Sequence, residues 1–277
     1  MLGRCRWIGL LLIAALISVC ASAPAKADDK PDLRALMDDL VAANHILYYH
    51  GIMDGFGHIS FRSPTDPNHF YMAAAVSPGK VTANDIIELD LDGNIVDKQK
   101  RPSYSERFIH AEIYRARPDV NAVVHSHSPT VIPFSVTGVP LRPITHSSSF
   151  LYTGVPVFDT RKVPSAKTLL VDNAETAKAL AKTLGQNAVV LMRGHGDAVV
   201  AGDIRSVVLR AIYTEVDAKL LLQAMSMGKP ITYISKEEGE AMAREAQSIK
   251  SGSSHGVDRI WQIWLDEASG KAITAGH

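Results

Sequence analysis

The chain has 277 residues, 46% of them hydrophobic, and balances 29 basic against 29 acidic side chains. That balance lacks the basic footprint of a nucleic-acid binder, so no nucleic-acid partner is expected. The length is enough to bury a substantial core in one domain.

The first residues are set apart from the rest. Arg4 and Arg6 precede the apolar run Ile8–Val19, and Ala25-Lys26-Ala27 forms a small-x-small site before Asp28. This is the layout of a secretory signal peptide over residues 1–27, with export to the periplasm and cleavage after Ala27. The apolar run is too short for a stable membrane span. Cys20 follows the bulky Val19 where a lipoprotein site would have a small residue. Cys5 and Cys20 both lie in this leader, so residues 28–277 contain no disulfide and no thiolate ligand. Without Arg4, Arg6 and Lys26 the chain carries 26 basic against 29 acidic residues.

Asp32 is placed to cap an amphipathic helix with Leu33, Leu36, Met37, Leu40 and Val41 on its apolar side, ending near Gly51. Phe56–Arg62 alternates as a strand, Pro64–Asn68 is a turn, and Phe70–Val76 is a second strand. Ile86–Leu91, Asp92-Gly93 and Asn94–Val96 form a hairpin pattern. Ser105–Ala116 reads as a helix and Val120–His127 as a buried strand. A short helix over Thr130–Val136 stops at Gly138. Residues 141–171 are expected to be loop, with a short strand near Val155–Phe158. Ala174–Leu184 is a helix closed by Gly185. Strands Ala188–Met192 and Ala198–Ala201 flank Gly194-His195-Gly196. Gly202-Asp203 caps a helix from Ile204 to about Met227, and residues 235–248 and 257–268 complete the helices. Helices interleaved with hairpin-forming strands indicate a mixed α/β fold, layered α-β-α, around a largely antiparallel sheet. Residues 28–277 read as a single domain, with its core over 33–228 and C-terminal helices over 235–268.

The chemistry concentrates at His125-Ser126-His127. Alternate strand residues share a face, so the two histidines project together with their stems roughly 6.5 Å apart. They either converge on one metal ion or hydrogen-bond at a strand end. Glu106 lies early in a helix that ends just before this strand. His195 sits between two glycines that let the backbone turn and expose it. Three imidazoles and one carboxylate suit Zn²⁺, with Fe²⁺, Mn²⁺ or Co²⁺ as alternatives. His58, Arg62 and Lys80 are candidates for holding a substrate carboxylate, Arg62 through its bidentate fork. His110, one helical turn past Glu106, is a candidate to orient that acid, donate a proton or contact substrate. Trp261 and Trp264 either dock a partner or close the core.

Several motifs taken together resemble the class II aldolase/adducin-like family over residues 33 to 228. They are Phe56-Gly57-His58-Ile59-Ser60-Phe61-Arg62, Ser105-Glu106 with His110, Arg117-Pro118-Asp119-Val120 leading to His125-Ser126-His127, and Arg193-Gly194-His195-Gly196. The resemblance implies one divalent metal ion per subunit, held by His125, His127, His195 and Glu106. Glu106 either completes the shell or serves as acid/base. The family's habit also implies a homo-oligomer, commonly a tetramer. Sugar-phosphate aldolases of the family carry Gly-Asn where this chain has Gly57-His58, and a serine pair where it has Tyr104-Ser105. Those positions help hold the phosphate. The run of motifs is closer to the branch of hydroxycarboxymuconic semialdehyde and dihydroxyphthalate decarboxylases.

The expected activity is therefore that of a metal-dependent carbon–carbon lyase on a small carboxylic-acid or carbonyl substrate, with decarboxylation ahead of aldol cleavage. Both reactions leave an electron pair that a Lewis acid stabilises. An Fe²⁺-dependent oxygenase is a further reading. A non-catalytic adducin-like module ranks last, because such modules usually erode the metal set and all four positions are intact here.

Overall fold

The structure, a computed structural model, describes residues 32–97, 101–250 and 255–270. The expected leader, with Cys5 and Cys20, lies outside the described residues. The helices are α1 (Leu33–Tyr49), α2 (Arg107–Ala116), α3 (Ile132–Thr137), α4 (Ala174–Leu184), α5 (Ile204–Ser226), α6 (Lys236–Lys250) and α7 (His255–Ala268). The strands are β1 (His58–Arg62), β2 (His69–Ala73), β3 (Ile86–Asp90), β4 (Ala122–Ser126), β5 (Val157–Phe158), β6 (Val189–Met192) and β7 (Gly196–Ala201). They form one sheet in the order β3-β2-β1-β4-β7-β6-β5. Every pairing is antiparallel except β5 with β6. No helix among the described residues is long and apolar enough to cross a membrane.

Alternation along the strands divides the core. Ile59, Phe61, Ala122, Val124, Val189, Leu191, Val199 and Ala201 pack on one face, against Leu40, Ile46 and Leu47 of α1 and Val207, Val208 and Leu221 of α5. Val123, Val190, Ala198 and Val200 pack on the other, against Ile109 and Ile113 of α2 and Ala177 and Leu180 of α4. Trp261 and Trp264 of α7 are buried in the first cluster, so they close the core. Helix starts follow side-chain caps. Asp32, Asn173 and Asp203 each accept a backbone N–H in the first turn of α1, α4 and α5.

Several sequence expectations shift. The return arm of the hairpin after β3 shrinks to one bridge, Leu89 with Ile95. There the Asp90 carboxylate binds the Asn94 amide and ties the turn to itself. The chain expected as loop contains a 3-10 helix over His146–Thr153. It is fixed by the buried Asp217 of α5, which accepts from Ile144 N and Ser148 Oγ. Helix α2 starts at Arg107 with Glu106 as its N-cap residue, so the acid sits at the helix mouth and not a turn inside it. His127 lies just beyond the end of β4.

Gly196 opens β7 against the end of β4. A Cβ there would lie 1.9 Å from the Ser126 carbonyl oxygen. Neither strand can yield without breaking the ladder between His125 and Ala198. Gly196→Ala is therefore expected to cost about 2–4 kcal/mol in urea unfolding. A loss under about 0.5 kcal/mol, within the range of surface substitutions, would contradict this packing.

Candidate metal centre

The site lies where β1, β4 and the β6–β7 turn meet the mouth of α2. His58 of β1 stands opposite His125 of β4. Both point to the α2 side, since Ile59 and Val124 fill the other core. Gly194, at φ +64°, and Gly196 carry the chain through the β6–β7 turn that presents His195. The His125 ring lies 5.0 Å from both the His127 and His195 rings, and those two rings are 5.1 Å apart. One ligand atom from each of Glu106, His125, His127 and His195 falls within 4.8 Å of the others.

The hydrogen bonds select which nitrogen faces inward. His125 Nδ1 donates to the Asp197 carbonyl at 2.9 Å, and His195 Nδ1 to the Leu169 carbonyl at 3.0 Å. His127 Nδ1 lies 3.2 Å from both carboxylate oxygens of Asp54. With the hydrogen on Nδ1 in each ring, all three Nε2 lone pairs are left for one centre. Nε2 of His125 and of His127 is buried with no hydrogen-bond partner. Two orphaned buried acceptors would cost about 1–3 kcal/mol each if nothing bound them.

Glu106 supplies the anion. Its Oε1 accepts the Val171 N–H at 2.7 Å. Its Oε2 lies 3.6 Å from His125 Nε2 and 3.4 Å from His195 Nε2. Ligands about 2.0–2.2 Å from a tetrahedral ion sit about 3.4 Å from one another, so these spacings fit a divalent cation. Burial pushes the Glu106 carboxyl up, but the adjoining His125 and His195 side chains outweigh it and hold it well below the usual carboxylate range. Burial lowers His125, and Glu106 together with the Asp197 carbonyl more than offsets this. The pair is thus arranged to hold positive charge between carboxylate and imidazoles. Three neutral nitrogens with one carboxylate make a donor set that fits a divalent transition metal.

A cavity of about 530 Å³ opens onto Glu106, His127 and His195, lined also by Phe56, His58, Tyr104, Leu169 and Leu170. Other expected contacts fall elsewhere. Arg62 is at the far end of β1, and its guanidinium donates to the carbonyls of Pro67, Tyr114, Arg117 and Val120. It ties β1 to the end of α2 and has no fork left for substrate. Lys80 is exposed in a 3-10 turn and does not line the cavity. His110 is fully buried one layer behind His58, to which it hydrogen-bonds at 2.7 Å, so it does not meet substrate.

Sequence reading missed the groups that orient the ligands. Asp54 has a local signal, the turn Asp54-Gly55-Phe56-Gly57, in which its carboxylate also accepts the Phe56 N–H. Glu215 of α5 accepts from Ser128 Oγ and the Thr130 N–H and anchors the segment after His127. The carbonyl of Leu169 and the N–H of Val171 come from a loop with no motif of its own.

The profile of the class II aldolase and adducin N-terminal domain matches residues 38–222. The chain belongs to this family. The class II aldolase domain here is 35% identical over 246 residues to decarboxylase tropJ of Talaromyces stipitatus, covering 82% of this chain and 91% of that one. It is 34% identical over 201 residues to the 3,4-dihydroxyphthalate decarboxylase of Arthrobacter keyseri, covering 68% and 78%. Among solved structures, an aldolase II superfamily protein from Pseudomonas syringae shares the fold, with a TM-score of 0.70 at 24% identity, covering 88% of this chain and 96% of that one. As a class II aldolase-type protein with decarboxylase relatives, the chain is a lyase.

Removing the Asp54 carboxylate releases the His127 tautomer. Asp54→Ala is expected to weaken divalent-metal affinity about 10–100-fold, read by competition with a chromogenic chelator. Unchanged affinity would mean that Asp54 does not orient His127.

Proposed function

We propose that the chain is a divalent-metal-dependent decarboxylase of a hydroxylated aromatic or muconic-type carboxylic acid, with Zn²⁺ as the metal. The observation that carries this reading is the cavity wall. Phe56, Tyr104, Leu169 and Leu170 make one part of it apolar, and no Lys or Arg of the described residues lines it. Such a wall suits a planar conjugated acid and offers no lysine or arginine to a phosphate. Tyr104 stands where the family's sugar-phosphate aldolases have a small residue, and its hydroxyl is already committed to the Val76 carbonyl. The decarboxylase names of both relatives support the same reaction class.

His125, His127, His195 and Glu106 would hold the cation, which supplies Lewis acidity against the negative charge left on the substrate. The remaining work belongs to the chain. Phe56, Tyr104, Leu169 and Leu170 would hold the ring plane. The bond from ring or chain carbon to carboxylate breaks, its electron pair stays on the substrate, and CO₂ departs. The carbon then takes a proton that comes from solvent, and Glu106 would relay it through Oε2 once bound substrate takes its place at the cation, while the Val171 N–H keeps Oε1 in position.

Val216, Leu220, Leu222 and Met225 of α5, with Met227 just past its end, are exposed apolar side chains. This supports a homo-oligomer, a tetramer by the family's habit, which light scattering would detect as a fourfold chain mass. The leader supports action in the periplasm, for which N-terminal sequencing of the purified protein should start at Asp28.

Purified protein loaded with Zn²⁺ is expected to release CO₂ from at least one acid in a panel of hydroxybenzoic, dihydroxyphthalic and muconic acids. A chelator should abolish the release and Zn²⁺ restore it. Glu106→Gln should lower kcat about 10²–10⁴-fold. Release of an aldehyde in place of CO₂ would turn the reading to an aldolase, and O₂ uptake during turnover to an oxygenase.

A further inference from the structure

Behind the cavity runs a hydrogen-bonded chain that the metal centre does not use. Glu106, His110 and Tyr114 recur every fourth residue from the cap through α2, so they share one helix face. That face meets β1. His58 Nδ1 lies 2.7 Å from His110 Nε2, and His110 Nδ1 lies 2.6 Å from Ser60 Oγ. Ser60 Oγ lies 2.8 Å from the Tyr114 hydroxyl. Ser60 and His110 are fully buried, and Tyr114 and His58 are 1% and 2% exposed.

The direction of this chain can be worked out from its far end. The Tyr114 oxygen has the Val123 backbone amide as a hydrogen-bonding neighbour, and the Arg62 guanidinium stands 4.7 Å from the ring centre. Both present positive hydrogens or charge, so the hydroxyl hydrogen has Ser60 Oγ as its acceptor. The Ser60 hydrogen then goes to His110 Nδ1. His110 carries its hydrogen on Nε2 and donates to His58 Nδ1, which leaves the His58 hydrogen on Nε2. In the opposite direction the Tyr114 hydroxyl hydrogen would be buried with no acceptor among the described residues.

We propose that His110, Ser60 and Tyr114 are positioning residues that lock His58 in the Nε2–H tautomer. The cavity then meets a fixed, neutral N–H donor beside the metal ligands. Burial, reinforced by His125, lowers His110 to about 3, so the imidazole in the middle of the chain stays neutral. Burial also raises the Tyr114 phenol at the far end of the chain, which keeps its hydroxyl hydrogen in place. A fixed donor selects an oxygen acceptor on the ligand, such as a carboxylate or phenolate. Being uncharged, it orients a carboxylate that must leave as CO₂ without holding its charge in the ground state as an arginine would. This use of the donor rests on reading the cavity as the substrate site of a decarboxylase. The tautomer itself does not.

The test is ¹⁵N NMR of the full chain with labelled histidine and Zn²⁺ bound, with the His58 signals assigned by their loss in His58→Gln. His58 should show a protonated Nε2 and an unprotonated, hydrogen-bonded Nδ1. Tyr114→Phe removes only the hydroxyl that sets the direction. It should shift the His58 tautomer ratio at least about fivefold toward Nδ1–H, the scale of one lost hydrogen-bond preference. Metal content should not change. Ser60→Ala, which cuts the chain one link nearer, should do the same and serves if Tyr114→Phe does not fold. In either variant the KM for the best acid of the decarboxylation panel should rise more than kcat falls. A protonated Nδ1 in the unaltered protein, or a ratio unmoved in the folded variants, would overturn the lock. Because the NMR needs no substrate, absence of CO₂ release would count against the decarboxylase reading and leave the tautomer result standing.

Discussion

An imidazole gives a metal one lone pair, and only when its other nitrogen carries the hydrogen. In this chain the three oxygen acceptors at Asp197, Asp54 and Leu169 take the Nδ1 hydrogens of His125, His127 and His195. They come from a strand, a turn and a loop, so the ligand set depends on the whole sheet edge being assembled. Remove any one acceptor and a ring is free to flip its tautomer or rotate. The same logic recurs behind the site, where His58 takes its direction from His110, Ser60 and Tyr114.

The sheet makes this possible through parity. Every second residue of β1 and β4 faces α2, so His58, Ser60, Val123 and His125 share a side while Ile59, Phe61, Ala122 and Val124 build the opposite core. The register pairs His58 with His125 and brings the donor and the ligand side by side. The start of β7 must then approach β4 closely enough to aim His195, which is why Gly196 has no room for a side chain beside the Ser126 carbonyl. Fold and site are held by the same few backbone positions.

Much of this was legible in the sequence where the signal is local. The amphipathic helices with the Asp32 and Asp203 caps, the alternating strands and the His-x-His run are short-range patterns, and the structure has them within a few residues. The meeting of His195 with the His125/His127 pair, some 70 residues earlier, needed the family's motif order in addition. Failures came where a side chain's role depends on distant backbone. Arg62 looked free to grip a substrate, yet it is consumed by four carbonyls that only the folded chain brings to it. His110 shares a helix face with Glu106, as its spacing implies, but β1 lies against that face and takes its hydrogen bonds. The 3-10 helix at His146–Thr153 is written in Asp217, far away on α5, and carries no periodicity of its own.

The central claim is that three imidazoles and one carboxylate, far apart along the polypeptide, hold one cation between them. Metal analysis of the purified native protein by plasma mass spectrometry, beside a folded His125→Ala variant, tests it most directly. The account predicts about one divalent transition-metal ion per chain in the native protein, as for a closed four-ligand site, and almost none in the variant. A native protein that turns over substrate at full rate with no bound metal, or a variant that keeps its ion, would contradict it.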